Sequence, residues 1–478
     1  MNGVPDVSSF GGAVPPVGPG DDPAAVARLA APGLVEEAAR RLAAYWREVP
    51  GLAPGRAESA RGLAERLAAP PGEEPGDGER LLDLLGRAVG AGEETGSPRH
   101  LAYIPSAGLP ASAVGALLAA GFNRVTAIPD LSPAMIALED GLLRWLCGVF
   151  GLPAGAIGTL QTGASLSTLT AVVAAREDRL GEATARATAY TTVHTHEVAR
   201  RALRVAGLPP SCLRTVPTTG DLRMDPAAAS RLIEADRRAG RTPFLLLANA
   251  GTAVSGTVDP LPELAALARR EGLWLHVDAA YGGGFRLTER GRRRLAGIEQ
   301  ADSLCVDAHK SLFAPFGAGV LLVRDAATLR RAFALEADCM AEVSGGGDLP
   351  TYSDLGPELS RESRALRLWL PLHLHGLRAF REVLDRMLDL AAEAHRALGA
   401  HPALRAGPVP DLSIVTFRLR HGGDRANRDL LRRVNATGAL RLGGAPVNGR
   451  FSLRMCLLHP QLDRSALREM VRVIARAL

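Results

Sequence analysis

Lysine is almost absent from this sequence. Lysine and arginine together number 56 in the 478-residue chain, yet Lys310 is the one lysine among them. An arginine side chain stays protonated in proteins, whereas a lysine shielded from water loses its proton and becomes a nucleophilic amine. Arginine stands at every other Lys or Arg position. We therefore infer that Lys310 is needed as a reactive amine.

Long apolar runs and cysteine motifs are also missing, and each absence excludes a class of protein. No run approaches the roughly 18 apolar residues of a membrane-spanning helix. The N-terminal segment has neither the basic nor the apolar region of a signal peptide, so we expect a cytoplasmic protein without a membrane partner. The five cysteines have no CxxC spacing, which argues against a disulfide framework and against a metal site.

The charge balance does not indicate a nucleic-acid partner. The formal net charge is +5, but the arginines are interleaved with acidic residues, and aromatic residues that would stack on bases make up only 4% of the chain. We therefore expect a small-molecule ligand rather than DNA or RNA.

The chain divides into four segments by its hydrophobic pattern. Residues 1–22 are rich in glycine and proline and are predicted to be a disordered tail. Residues 23–96 contain helical patterns broken by proline and glycine. Residues 97–370 alternate short apolar runs with helical stretches, which predicts an α/β domain with a mostly parallel sheet. Residues 371–478 carry long helices and late strands and are predicted to form a smaller α+β domain.

Lys310 lies in the stretch VDAHKSLFAPFGAG, directly after a short apolar strand. Thirty-two residues earlier, the strand LWLHVD ends on Asp278. Ligands of open α/β sheets collect at the carboxyl ends of the strands, and an acid at such an end needs a partner to offset its burial. The two residues are therefore predicted to belong to one site.

Two further segments supply candidate ligand-binding groups. The stretch GTLQTGASLSTLTAVVAAR predicts a strand, a turn of small residues and a helix, so backbone N–H groups near Gly163, Ala164 and Ser165 favour an anion. The stretch YTTVHTHEVARRA places His194 and His196 at a strand-to-helix junction. Each feature alone has an ordinary explanation as a helix cap, a paired buried acid or a core histidine.

Together these features match the requirements of pyridoxal phosphate. The cofactor needs a lysine for a Schiff base, a carboxylate at its ring nitrogen, a helix N-terminus for its phosphate and a flat side chain over its ring. We therefore expect pyridoxal 5'-phosphate as the cofactor.

The sequence resembles the group II pyridoxal-phosphate-dependent amino-acid decarboxylases, the fold-type-I family that includes aromatic-L-amino-acid and glutamate decarboxylases. The resemblance extends from about Tyr45 to the end of the chain. It implies an α/β, PLP fold type I architecture with a mostly parallel central sheet flanked by helices. It further implies an N-terminal helical segment that packs on a dimer partner, a small C-terminal α+β domain, and a homodimer with shared active sites. The segments that carry it are HLAYIPSAG, LSPAMIALEDGLLRWL, HVDAAYGG, VDAHKSLFAPFGAG and LSRESRALRLW.

The resemblance also implies a role for individual residues. Lys310 would carry the cofactor, Asp278 would face its ring nitrogen, and His196 would stack on its ring. Tyr103 and Ile104 would border the substrate pocket, either within one chain or across a dimer interface. The remaining cofactor-binding positions implied are Ala280 beneath the ring and, at the phosphate end, Ala164, Ser165, Asp307 and His309.

The implied reaction is decarboxylation of an apolar or aromatic L-amino acid to its amine, through an external aldimine and a quinonoid. The family's proton-donating loop tyrosine corresponds here to Cys339, unless Tyr352 takes that place. Relatives without this tyrosine form an aldehyde by oxidative deamination, so an aldehyde synthase is the alternative. Ala253 and Ser311 also depart from the family pattern and would reshape the pocket.

Three other possibilities stay open at this level. A carbon–carbon lyase and an aminotransferase use the same cofactor, and a fold alone does not fix the reaction. A catalytically silent, cofactor-binding homologue would tolerate the changed loop. The presence of Lys310, Asp278 and His196 argues against a catalytically silent homologue. The residue at position 339, Cys339, is expected to decide whether the product is an amine or an aldehyde.

Overall fold

The structure is a computed structural model that describes residues 32–55, 61–73, 75–104, 108–334 and 349–478. These residues form two compact units, one of three helices and one that contains both β-sheets. No helix in the described ranges is long and apolar enough to cross a membrane. The segment that contains Cys339 lies outside the described residues, so the prediction for that position stays a prediction.

The first unit consists of α1 (Pro32–Glu48), α2 (Arg61–Leu67) and α3 (Gly78–Gly90). Asp77 caps α3, because its side chain accepts a hydrogen bond from the backbone N–H of Arg80 at 3.0 Å. Neither α2 nor α3 buries a residue within the described part of the chain.

The second unit alternates strands and helices along the chain. Its strands are β1 (Ile157–Gln161), β2 (Ala187–Thr192), β3 (Leu213–Val216), β4 (Thr242–Asn249), β5 (Trp274–Asp278), β6 (Ser303–Asp307), β7 (Gly319–Val323), β8 (Leu404–Ala406), β9 (Ile414–Leu419), β10 (Gly443–Val447) and β11 (Arg450–Cys456). Its helices are α4 (Pro110–Phe122), α5 (Pro133–Phe150), α6 (Ala164–Leu180), α7 (Val198–Val205), α8 (Pro226–Arg238), α9 (Leu261–Arg270), α10 (Glu289–Arg294), α11 (Ala308–Ser311), α12 (Ala326–Phe333), α13 (Leu366–Ala400), α14 (Asp424–Ala436) and α15 (Arg464–Arg476).

The large sheet has seven strands in the order β1-β7-β6-β5-β4-β2-β3. Strands β6, β5, β4, β2 and β3 are parallel, whereas β7 is antiparallel to both β1 and β6. The short apolar runs of the sequence form the central strands, which are buried because helices cover them. The predicted α/β architecture with a mostly parallel sheet flanked by helices is confirmed.

The C-terminal part of the chain builds a second sheet with its own hydrophobic core. This sheet is antiparallel, with the order β10-β11-β9-β8. The predicted boundary between residues 370 and 371 falls inside α13, which is interrupted at Gly376, where φ is +72°. The predicted domain limits stay predictions.

A buried ion pair links α5 to the segment that precedes α13. A guanidinium nitrogen of Arg361 lies 2.5 Å from a carboxylate oxygen of Glu139, and both side chains are almost inaccessible to water. The same guanidinium donates to the carbonyl of Leu160 at 2.9 Å. Its central carbon also lies 4.4 Å from the ring centre of Tyr352, in a cation–π contact.

Candidate active site

The carboxyl ends of three neighbouring parallel strands bring the candidate residues together. Asn249 ends β4 and pairs in register with Asp278, which ends β5. Asp278 in turn lies opposite Cys305 of β6, and that strand ends two residues later at Asp307. Parallel strands with a common direction place their ends at one edge of the sheet, where binding sites of open α/β sheets form.

Lys310 lies in the short helix α11, directly after β6. Its Nζ is 2.8 Å from an Oδ atom of Asp307, and about a quarter of its side chain is exposed. Burial lowers the pKa of Lys310, but the attraction and hydrogen bond of Asp307 outweigh burial and raise the pKa above its ordinary value. The amine is therefore paired with a carboxylate that favours its protonated form.

Asp307 connects this lysine to the turn of small residues before α6. Its Oδ1 accepts the backbone N–H of Ala164 at 2.6 Å, so this N–H is already engaged by the protein. Its Oδ2 lies 3.5 Å from Nε2 of His309, whose pKa is lowered chiefly by burial. Ser165, the next residue of α6, is exposed. The residues predicted at the phosphate end thus lie close together, with Asp307 at their centre.

Asp278 is half-buried beside a small apolar cluster. Its Oδ1 accepts the backbone N–H of Ala280 at 3.0 Å and the thiol of Cys305 at 3.7 Å. Burial raises the pKa of Cys305 well above its ordinary value, so the thiol is a neutral donor. Ala164, Ala280 and Cys305 pack against each other and form a floor of small side chains next to the carboxylate.

His196 lies in the turn between β2 and α7, and its side chain is exposed. Its Nδ1 accepts the backbone N–H of Val198 at 3.2 Å, which leaves the proton of the neutral ring on Nε2. His194, the other candidate, is half-buried, and burial lowers its pKa.

A cavity of about 1100 Å³ contains the exposed face of Lys310. His196, Tyr103 and Ile104 line it together with Lys310, so the structure brings these four predicted residues to one space. The apolar part of its wall also includes Ala253, Val254 and Phe316. A largely apolar cavity with a few convergent polar groups is typical of small-molecule sites.

Arg454 is a cavity residue that the sequence reasoning missed. It is 5% exposed, and its Nη1 donates to the backbone carbonyl of Tyr103 at 2.5 Å. Burial lowers its pKa, and among the described residues no carboxylate lies within ion-pair distance of it. The sequence signal was a lone arginine inside the apolar strand FSLRMC, which requires a polar partner once that strand is buried.

A second missed group lines another part of the same cavity. Glu93 forms an ion pair with Arg441 at 2.7 Å and lies 3.2 Å from Nε2 of His100. His100 is buried, and its ring stacks loosely on Tyr103 with centroids 6.4 Å apart. Arg441 is 348 residues away from Glu93, so no local motif predicts their ion pair.

Tyr352 does not line the cavity in the part of the chain that the structure describes. It is 2% exposed and packs under Arg361, and its hydroxyl has no hydrogen-bond partner among the described residues. Burial raises its pKa well above the ordinary value. Within residues 32–55, 61–73, 75–104, 108–334 and 349–478, no group of three or more potential ligands is placed to hold a metal ion.

Comparisons with known proteins identify relatives over most of the chain. A family model described as the pyridoxal-dependent decarboxylase conserved domain matches residues 69–420. An aromatic-L-amino-acid decarboxylase of Bacillus atrophaeus is 31% identical over 87% of this chain and 88% of its own length. A phenylacetaldehyde synthase of Arabidopsis thaliana is 30% identical over 79% of this chain and 81% of its own length.

Solved structures show the same likeness. The crystal structure of Oryza sativa TDC with PLP and tryptamine aligns with a TM-score of 0.88 at 27% identity, covering 93% of this chain and 96% of that one. The crystal structure of Catharanthus roseus tryptophan decarboxylase in complex with L-tryptophan has a TM-score of 0.86 at 25% identity, covering 94% and 98%.

Proposed function

Because the chain belongs to the pyridoxal-dependent decarboxylase family, whose members are pyridoxal-phosphate-dependent carboxy-lyases, we propose that it decarboxylates an aromatic or other apolar L-amino acid to the amine. The observation that carries this proposal is the composition of the cavity around Lys310. Tyr103, Ile104, Val254 and Phe316 give it an apolar wall that suits an uncharged side chain.

The residues of this chain fit pyridoxal phosphate. Lys310 offers an amine to the cavity, and Asp278 lies beside the cluster of Ala164, Ala280 and Cys305, whose small side chains suit a flat ring. A Cβ atom added to Gly163, before the first turn of α6, would lie 3.4 Å from His309. A larger residue would therefore occupy the space beside His309. When bound, the cofactor supplies an aldehyde for an amine and an electron-accepting ring that takes up the electron pair left when CO2 departs.

Each of the chain's own groups then has a distinct task. We assign to Lys310 the amine that holds the cofactor, and to Asp278 the carboxylate that keeps a proton on the ring nitrogen. His196, which lines the cavity, would cover the ring. Arg454 forms no ion pair with a carboxylate of the described residues. Its buried guanidinium would therefore bind the α-carboxylate of the substrate.

The apolar wall has a second task beyond recognition. Apolar groups lower the local dielectric constant, so a pair between Arg454 and a substrate carboxylate would be stronger here than in bulk water. Loss of CO2 removes that negative charge, and the remaining amine no longer pairs with Arg454. The geometry thus favours release of a decarboxylated product.

A panel of L-amino acids tests the proposal. We expect tryptophan, tyrosine, phenylalanine or another apolar amino acid to release CO2 with an equal amount of amine. Glutamate and aspartate serve as the charged controls and should be turned over far more slowly. Absence of CO2 release from every aromatic and aliphatic amino acid would contradict the proposed function.

An aldehyde synthase is the second candidate function. It is favoured by the burial of Tyr352 beneath Arg361, because this tyrosine is then not available as a proton donor in the cavity. Such an enzyme would consume oxygen and form aldehyde, ammonia and peroxide in place of amine. Assays under air and under nitrogen, with amine and aldehyde both quantified, distinguish the two, and Cys339→Tyr should shift the product towards the amine.

We further propose that the protein is a homodimer with shared active sites. The helices of the first unit support this, because large apolar side chains are exposed there and call for a covering surface: Leu34, Leu42, Leu81, Leu85 and Val89. Light scattering of the purified protein should give twice the 50.2 kDa chain mass. A monomeric mass with full activity would contradict this proposal.

A further inference from the structure

A series of hydrogen bonds connects the turn that contains His196 to a buried carboxylate some sixty residues later in the chain. Asp259 is 3% exposed and accepts three N–H groups. The donors are the backbone of Met224 at 2.7 Å, the backbone of Asn249 at 2.7 Å and the side-chain amide of Asn249 at 2.8 Å. Three N–H donors stabilise the ionised form, although burial raises the pKa of this carboxyl.

This carboxylate fixes the orientation of the Asn249 amide. The nitrogen of the amide, and not its oxygen, faces Asp259, because it donates to Oδ2 at 2.8 Å. Asn249 is 2% exposed, and the second N–H of the same nitrogen points to Oγ1 of Thr195 at 3.0 Å. One amide therefore joins the buried carboxylate to the turn.

Hydrogen bonds of the Thr195 hydroxyl extend this network to the rest of the turn. Its Oγ1 accepts the backbone N–H of Thr192 at 3.3 Å and lies 3.3 Å from the hydroxyl of that residue. The Thr192 hydroxyl in turn accepts the backbone N–H of His194 at 3.2 Å. The turn between β2 and α7 is thus held from inside the protein through one hydroxyl group.

His196 follows Thr195 directly, so its position is fixed from both sides. Thr195 anchors the preceding peptide, and the hydrogen bond from the N–H of Val198 to Nδ1 anchors the ring itself. Consecutive Cα atoms are separated by a constant distance, so a shift of Thr195 moves the imidazole.

We propose that Thr195 and Asn249 are positioning residues, which hold the imidazole of His196 at the correct height over the pyridoxal ring. The inference rests on the proposed role of His196. Neither residue touches the reacting atoms, and neither lines the cavity in the described part of the chain.

Thr195→Val tests this proposal, because it removes the hydroxyl and preserves the shape of the side chain. We expect at least about fivefold weaker binding of pyridoxal phosphate and a similar fall in kcat/KM, because the hydroxyl accepts hydrogen bonds from both Asn249 and Thr192. The circular dichroism of the bound cofactor should also change, since it reports the asymmetric contacts around the ring. Thr195→Ser keeps the hydroxyl and should restore the wild-type values.

Thr191→Val is the matched control. Thr191 is buried, four residues before the half-buried Thr195, and its hydroxyl has no hydrogen-bond partner among the described residues. The same chemical change there should leave cofactor binding and the dichroism spectrum unaltered. Melting temperatures of the three variants show whether an effect reflects general destabilisation.

Asn249→Ser provides a second route to the same result. Serine is too short to bridge Asp259 and Thr195, so this variant should resemble Thr195→Val. Both single variants break the same hydrogen bond between Asn249 and Thr195. The double variant should therefore bind the cofactor no more weakly than the single variant with the lower affinity. Additive losses, a Thr195→Val protein identical to wild type, or equal losses in Thr191→Val would overturn the proposal. The binding and dichroism measurements use no substrate, so a failure to decarboxylate any amino acid would refute the proposed function separately.

Discussion

The side-chain amine of Lys310 and the first turn of α6 share one carboxylate, that of Asp307. Its two oxygen atoms lie 2.8 Å from Nζ of Lys310 and 2.6 Å from the backbone nitrogen of Ala164. The amine must lose a proton before it attacks an aldehyde, and Asp307 raises the pKa of that amine. Asp307 therefore sets the pH at which the lysine becomes reactive.

Asp307→Asn should shift the pH dependence of cofactor attachment to lower pH. The amide no longer attracts the ammonium, so burial dominates and the pKa of Lys310 falls. A larger fraction of the amine is then neutral at any given pH. The rate at which the Schiff-base absorbance develops after mixing apoprotein with pyridoxal phosphate, measured across pH, checks this.

Asp325→Asn is the control for that experiment. Asp325 caps α12 through the backbone N–H of Ala327, and asparagine caps helices equally well. Its pH profile should coincide with that of the wild type. An Asp307→Asn profile that also coincides would show that Asp307 does not govern the amine.

Lys310→Arg should abolish cofactor attachment and turnover together. Arginine retains the positive charge beside Asp307 but cannot form a Schiff base. Because the chain has no other lysine, borohydride reduction of the wild type should attach the cofactor to one peptide, the one that contains Lys310. Cofactor on any other peptide, or turnover by the variant, would disprove the assignment.

Tyr352→Phe should leave the rate of product formation within about twofold of wild type. The Tyr352 hydroxyl is buried without a partner among the described residues, so its removal loses no hydrogen bond and is expected to be neutral or stabilising. Product analysis and a thermal melt test both statements. A strong loss of amine would mean that Tyr352 acts as the proton donor after all.

Arg361→Ala should destabilise the protein by about 3–5 kcal/mol, because it leaves the carboxylate of Glu139 buried and unpaired. Arg472→Ala, which breaks an exposed pair with Glu469, should change the free energy of unfolding by less than about 1 kcal/mol. Urea unfolding of both variants gives the comparison. Equal losses would show that burial is not what makes the Arg361 pair important.

Two buried histidines should make the fold less stable in mild acid. Burial lowers the pKa of His276 and of His459 from 6.5 to about 4, so both stay neutral in the folded protein while the unfolded chain takes up protons. Stability should therefore fall as the pH decreases from about 6.5 to about 4, by up to about 1.4 kcal/mol per pH unit for each histidine. Urea midpoints across this range should show a shallower slope for His459→Gln, and an unchanged slope would contradict the prediction.

The site residues that lie in continuous motifs could be predicted from the sequence. Lys310 and Asp278 were recognisable because each follows a short apolar run, and such runs form parallel strands whose ends meet at one edge of the sheet. Tyr103, Ile104 and His196 lie in segments similar to those of the family. The structure agrees with that expectation, because one cavity is lined by Lys310, His196, Tyr103 and Ile104. The chemical roles of these residues stay predictions.

The parallel sheet and the special position of Lys310 could be predicted from the sequence alone, because hydrophobic periodicity and residue chemistry are local properties. The folded structure was needed to show which distant groups meet: Arg454 with the carbonyl of Tyr103, Glu93 with Arg441, and Asn249 with Thr195. It also placed Tyr352 under Arg361 and away from the cavity. These contacts depend on strand register and side-chain packing, which bring together residues that no spacing along the chain relates.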